Sequence, residues 1–387
     1  MFKRALFAAL TLVLATAASA AEPFEQQIKD VQKIRGLSFL HPVQTKAISR
    51  DELPRYLHEQ FEKSLPVSFD DYMLVLTSLR FVDPAAKDPE KSLIDLMQQQ
   101  VLAFYDPLTH VYFAIDKLPA GLPAAAGVGL EDAVAVHELT HALQDQHFNV
   151  GREDFATRND TDANLALHAV VEGEASLVML VKLVEPLGQT IDTLVKNEEM
   201  LNAMSSAAAM STGADSSGTP RYFIESLVVP YTAGMKFVVT AYRRGGWAAV
   251  NRIYDNPPHS MREVLHPEEY FAGQRSTNSF SLDAPLPVSH LLTVEHLGEW
   301  HWSYLVGAEA ARGWKGDRVT IAQDAFCNPT VLVETRWESA DRANAFRTAY
   351  ADFLRKEKID AQVRTRGNEV DVAYGGDYAL VDRFMTR

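Results

Sequence analysis

Polar, helix-type patterning fills residues 22–100, where Glu25–Ile34, Arg50–Leu65, Phe69–Leu79 and Leu93–Val101 read as helices. Asp51, Ser68 and Asp70 are plausible caps for them. Two short β-type runs follow, Leu102–Tyr105 and Val111–Ile115, joined by Asp106-Pro107-Leu108-Thr109. Asp first and Pro second favour a type I turn, so a hairpin is expected. From Val134 to His147 the pattern becomes helical and largely apolar, with Val134, Val136, Leu139 and Leu143 surrounding several polar residues. Glu131 and Asp132 just before it suit a helix N-terminus. A run of cap formers, Arg158–Asp162, then opens a further helix through Leu165, Val170, Leu177 and Leu180. Ile191–Met204 reads as another, and the Ser-, Ala- and Gly-rich stretch Ser205–Pro220 as a mobile loop.

Beyond it, Val228–Tyr231 leads into a helix through Phe237 and Tyr242 that Gly245-Gly246 closes. Ser260 and Glu263 form a capping box just after Pro257-Pro258. The character changes near residue 285. A turn at Gly313–Arg318 enters Val319–Ala322, and Thr330–Trp337 alternates as a strand. Ala340–Lys356 is helical, and short strands follow at Ala361–Arg366 and Glu369–Tyr374. This β-α-β-β run predicts a small α+β module whose glycines and tryptophans serve turns and core, a peptide- or glycan-binding role being the sharper alternative. The fold class expected is α+β, divided as 1–20, 21–100, 101–284 and 285–387, with no internal repeat.

The buried-looking helix at 134–147 carries His137-Glu138-Leu139-Thr140-His141, the H-E-x-x-H pattern. Four residues apart on a helix, His137 and His141 project from one face, where two imidazoles can share a Zn²⁺ and leave positions for a third ligand and water. Glu138 lies about 100° round the helix, beside such a metal, placed to take a proton from its water. Asp145, one turn past His141, is a candidate outer-shell acceptor. A polar helix face is the plainer reading of the same residues. On the following helix His168, Glu172 and Ser176 form an i, i+4, i+8 stripe, which faces either solvent or a buried polar site.

The segment H-E-L-T-H-A-L-Q-D at 137–145 resembles the active-site helix of thermolysin-type zinc metallopeptidases, the gluzincins. The resemblance implies a zincin-like catalytic domain, one catalytic Zn²⁺ and a peptide or protein substrate. It also implies a third ligand, a glutamate on the next helix, carried here onto Glu172 in H-A-V-V-E-G-E-A-S at 168–176. Glu174 is the second candidate. Gly173 after Glu172 permits close helix approach, and E-G-x-A resembles third-ligand segments of such enzymes. His168 is then a neighbour of the metal, since a catalytic zinc keeps one position open. The hairpin would pair substrate along its edge strand. Two departures stand out: His141 and Glu172 are 31 positions apart, and Ser176 stands where the family often has an aspartate orienting a ligand. Asp145 or Asp162 would supply that orientation instead. The pattern P-Y-x-x-G, G-G-W and P-P-x-S-x-x-x-V-L-H-P across 230–267 resembles uncharacterised bacterial proteins described as zinc-dependent proteases. A peptidase also needs a donor to the developing oxyanion, for which His266 and Tyr231 are candidates. The plainer role for His266 is stabilising helix-terminal carbonyls.

With 387 residues the chain has length for more than one domain. A formal charge of −14 with few basic clusters argues against nucleic acid. Met1–Ala20 shows Lys3 and Arg4, an apolar run and Ala18-Ser19-Ala20, which reads as a removable secretory signal. A secreted or periplasmic protein without stable membrane insertion is therefore expected. The single Cys327 forms no internal disulfide and is expected to be a small buried hydrophobe. The N-terminal helices read as a scaffold, with a latency segment as the alternative. The function expected is a zinc metallopeptidase. A silent zinc-bearing envelope scaffold and a zinc amidase acting on cell-wall material stay open beside it. Oligomeric state is not legible.

Overall fold

The computed structural model describes residues 24–65, 67–116, 128–151, 160–203, 218–276 and 278–387. The signal expected at 1–20 and most of the loop expected at 205–220 lie outside them. The described part is α+β with two sheets.

Four N-terminal helices form, α1 (Glu25–Arg35), α2 (Leu53–Ser64), α3 (Phe69–Ser78) and α4 (Pro89–Gln100), with β1 (Gln44–Ile48) between the first two. Side-chain caps define two of them: Ser68 accepts from the Asp71 N–H, and Asp88 from the Lys91 N–H. The hairpin β2 (Ala103–Asp106) and β3 (Val111–Ile115) is antiparallel as expected. Asp106 holds its turn, accepting the Leu108 N–H at 2.9 Å and the Thr109 hydroxyl at 2.8 Å. β1 was not legible. It joins β3 in parallel at the sheet edge, where Gln44, Thr45, Lys46 and Ala47 are all exposed, so no apolar alternation marks it.

Two long helices carry the centre of the molecule, α5 (Leu130–Phe148) and α6 (Thr161–Val184). The helix expected over Ile191–Met204 is broken: α7 (Ile191–Leu194) ends in a turn, and the chain resumes helix after Asn197 accepts from the Met200 N–H. A third long helix, α8 (Arg221–Asn251), starts earlier than expected and runs through Pro230. Packing of its apolar face overrides the local cost of that proline. At Gly245 and Gly246 the backbone leaves helical geometry, Gly246 at φ 61°, and the helix kinks there.

α6 and α8 cross at glycines. A Cβ on Gly173 would stand 2.1 Å from the Gly234 carbonyl carbon, and one on Gly234 would stand 1.8 Å from the Ala169 carbonyl oxygen. Neither obstacle is a side chain that can swing away. Gly234→Ala is therefore expected to splay the two helices and cost about 1–3 kcal/mol or more, read as a lowered denaturant midpoint. A midpoint within experimental scatter of the wild type would contradict this close approach.

Short helices α9 (Met261–Leu265) and α10 (Pro267–Phe271) lead to the C-terminal part. Ser260 caps α9 by accepting from the Glu263 N–H. The second sheet is antiparallel and ordered β4 (Leu291–Glu295), β5 (Trp314–Gln323), β6 (Pro329–Trp337), β8 (Glu369–Gly375), β7 (Ala361–Arg366). Helices α11 (Gly298–Val306) and α12 (Ala308–Ala311) connect β4 to β5, α13 (Ala340–Lys356) follows β6, and α14 (Tyr378–Thr386) ends the chain. Of the stretch read as a turn at 313–318, Gly313 is turn and the strand begins at Trp314, with an irregularity between Trp314 and Gly316. Trp302, Trp314 and Trp337 are buried, and Phe346 and Tyr350 of α13 pack on Trp302. Asp317 accepts from both Trp302 and Trp314 indoles and from the Leu297 and Gly298 N–H groups, so a buried carboxylate is fully partnered. Cys327 corrects an expectation: it is exposed in the β5–β6 turn at φ 63°, because residue type alone does not record the turn it occupies.

Candidate metal centre

α5 presents His137 and His141 one turn apart, and α6 crosses beside it to present Glu172. The two Nε2 atoms are 3.0 Å apart. Glu172 Oε2 lies 3.1 Å from His137 Nε2 and 3.6 Å from His141 Nε2. All three side chains are buried. Four-coordinate zinc with ligand bonds of about 2.0–2.1 Å sets its donors roughly 3.3–3.4 Å apart. The three donors therefore stand at the spacing of one face of such a tetrahedron, and two imidazole nitrogens aimed at each other are relieved by a shared cation. The residues fit the ion.

Electrostatics favour the charged form of Glu172. Burial by itself would raise the Glu172 carboxyl, but the imidazoles of His141, His137 and His168 outweigh it and hold the group well below the usual carboxylate range. Burial lowers His137, whereas at His141 the Glu172 carboxylate overcomes burial and raises the imidazole to about 9. Glu172 is thus an anion facing two imidazoles.

Among the described residues, His137, Glu138 and His141 form the group whose ligand atoms lie within 4.8 Å of one another. Two carboxylates therefore compete for the third position, Glu138 and Glu172. Glu172 places Oε2 3.1 Å from His137 Nε2 and 3.6 Å from His141 Nε2. Glu138 is engaged elsewhere: its Oε2 accepts the Tyr105 N–H at 2.9 Å. Strand β2 is the edge of its sheet beside α5, so an outward backbone N–H that substrate pairing would have used instead holds Glu138. Sequence reasoning did not foresee this contact, since it depends on a strand edge meeting a helix.

The surrounding shell differs from expectation at Asp145. Its carboxylate takes the Tyr105 hydroxyl at 2.8 Å and His110 Nδ1 at 2.7 Å, not a ring nitrogen of His137 or His141. Successive helix positions diverge by about 100°, and it is Gln144 whose direction leads to His141: Gln144 Oε1 lies 2.9 Å from His141 Nδ1. Asp145 instead steadies Tyr105, whose N–H holds Glu138. Asp162, the other candidate, accepts the Met261 N–H at 2.8 Å and joins α6 to α9. His168 is a neighbour of the centre, its Nε2 3.0 Å from Glu172 Oε1, whereas Oε2 is the oxygen that meets the imidazole pair. Ser176 Oγ is buried without a hydrogen-bond partner, and so is His137 Nδ1.

Glu174, the rival of Glu172, points away and pairs with Arg35 at 2.5 Å, both side chains fully buried. Tyr231 comes to the centre: its ring stacks on His137 with centroids 6.0 Å apart and 24° between planes. The Gly173–Gly234 crossing explains this, as Tyr231 is one turn from Gly234 and Glu172 adjoins Gly173. His266 does not join them through any hydrogen bond or ion pair. Its Nε2 lies 2.7 Å from Glu299 Oε1, and Arg262 holds the other Glu299 oxygen at 2.7 Å. His266 also ends α9, the plainer role expected of it.

Residues 266–384 match DUF8575, a domain of unknown function. The match begins at His266 and so takes in α10 and the approach to β4 as well as the second sheet. No curated protein and no solved structure matches the chain. The candidate metal centre lies outside the matched residues. No described helix is long and apolar enough to cross a membrane.

Proposed function

We propose that the protein is a zinc-dependent peptidase with a zincin-like catalytic domain, acting as a secreted or periplasmic enzyme. The observation that carries this reading is the convergence of His137 Nε2, His141 Nε2 and Glu172 Oε2 at 3.0–3.6 Å, with the Glu138 carboxylate beside them. A zinc ion held there would supply Lewis acidity and lower the pKa of water. Glu138 is the general base and then returns the proton to the leaving amine. The Tyr105 N–H keeps its carboxylate aligned for that task. His168, on the other oxygen of Glu172, favours binding through Oε2 alone. Tyr231 stacks on a ligand imidazole and is better placed than His266 to donate to a developing oxyanion.

The test joins metal content to cleavage. The mature chain is expected to bind one zinc and to cut members of a diverse peptide library, with both properties removed by chelation. Glu172→Ala should lose zinc to a competing chelator that leaves the wild type loaded. Full zinc retention by that variant would reassign the third ligand. A zinc-loaded wild type that cleaves no peptide but releases cell-wall fragments would replace peptidase by amidase.

A further inference from the structure

An imidazole that binds metal through one nitrogen is oriented by what its other nitrogen meets. For His141 that neighbour is Gln144 Oε1, 2.9 Å from Nδ1. Turned over, the same amide would aim its nitrogen at the ring. Its other contacts forbid that. Gln144 Nε2 lies 3.0 Å from the Val171 carbonyl oxygen, which can only accept. It also lies 3.1 Å from the Tyr254 hydroxyl. That hydroxyl donates its one proton to Glu174 Oε2 at 2.6 Å, so it accepts from Gln144. Burial and the Glu174 charge push the Tyr254 phenol well above its usual pKa, which keeps the proton in place. The Phe148 ring, stacked on Tyr254 at 4.1 Å and 2°, fixes the phenol plane.

The far end of the chain is anchored as firmly. Glu174 Oε1 accepts from Arg35 Nε at 2.5 Å, and Arg35 Nη2 donates to Asn251 Oδ1 at 2.8 Å. The guanidinium lies 4.1 Å over the Trp247 ring. With the donors and acceptors from Glu174 through Tyr254 and Gln144 assigned in sequence, one arrangement of protons satisfies these links: Nδ1 of His141 carries hydrogen, and its metal-side atom is Nε2.

We propose that Gln144 is a positioning residue that holds the Nδ1 proton of His141 and directs Nε2 into the donor cluster. Tyr254, Glu174 and Arg35 lock the Gln144 amide in that orientation. The first helix of the described chain is thereby coupled to a metal ligand, through side chains that never touch the metal. The effect on zinc rests on the peptidase reading, whereas the hydrogen-bond assignment does not.

The experiment uses the full mature chain and two readouts, zinc affinity by chelator competition and histidine ¹⁵N spectra of the metal-free protein. The wild type is expected to show a hydrogen-bonded Nδ1–H resonance from His141. Gln144→Leu, which removes the acceptor, should abolish that resonance and weaken zinc about 10–100-fold. Gln144→Glu keeps an acceptor oxygen and should retain the resonance. Tyr254→Phe should broaden it by releasing one side of the amide. Absence of the resonance from the wild type, its persistence in Gln144→Leu, or its loss without any change in zinc affinity would each overturn the proposal. A wild type that shows the resonance but takes no zinc would overturn the peptidase reading and leave the hydrogen-bond assignment standing.

Discussion

Replacing Glu138 by Gln is expected to lower kcat for peptide hydrolysis by about 10²–10⁴-fold, the usual contribution of a positioned general base. The substitution keeps the side-chain shape and an oxygen for the Tyr105 N–H, which now stands 2.9 Å from Glu138 Oε2. It removes only the capacity to take a proton. His137, His141 and Glu172 are untouched, so zinc content should equal that of the wild type. Metal analysis and steady-state kinetics on the same preparation check both halves. Activity within a few-fold of wild type would remove Glu138 from the mechanism. Loss of zinc together with activity would instead show that Glu138 helps to hold the ion.

The second large effect concerns stability. Glu174→Ala should destabilise the fold by about 3–5 kcal/mol, because it strands the buried Arg35 guanidinium without its counter-charge. Arg35 already has Nη1 buried without a partner, so little compensation is at hand. Glu172→Ala provides the contrast. It deletes a carboxylate whose neighbours are imidazoles, which can shed their charge. Equilibrium unfolding of the two variants without metal separates them: Glu174→Ala should shift the denaturant midpoint far more. A Glu174→Ala shift below about 1 kcal/mol would mean that the Arg35–Glu174 pair contributes no more than an exposed one.

Several elements were legible because their signal is local. The H-E-x-x-H spacing on an apolar helix brings His137 and His141 to one face whatever surrounds them. Asp106-Pro107 turns the hairpin through side-chain bonds within three residues. The α13 helix and the last two strands follow from periodicity alone. Gly173, directly between Glu172 and Glu174, reads as a place of close helix approach, and its missing Cβ is where α8 crosses.

Other features have no local signal. β1 is polar and exposed, and exists because β3 offers it a partner. Pro230 suggests a helix start, yet packing carries α8 through it. Asp145 and Gln144 are neighbours in the chain, and both have side chains suited to an imidazole. Only the direction of each on α5 and the position of α6 assign Gln144 to His141 and Asp145 to Tyr105.

By itself, then, the sequence determined the donor types, their spacing on one helix and the apolar setting that would bury them. The tertiary structure decided which glutamate of the pair Glu172 and Glu174 faces the histidines, that Tyr231 and not His266 stacks on His137, and how Arg35 of the first described helix is linked through Glu174, Tyr254 and Gln144 to His141. The physical reason is range. Helical spacing fixes directions within one turn, whereas the angle and depth at which α5, α6 and α8 cross depend on contacts between residues far apart in the chain.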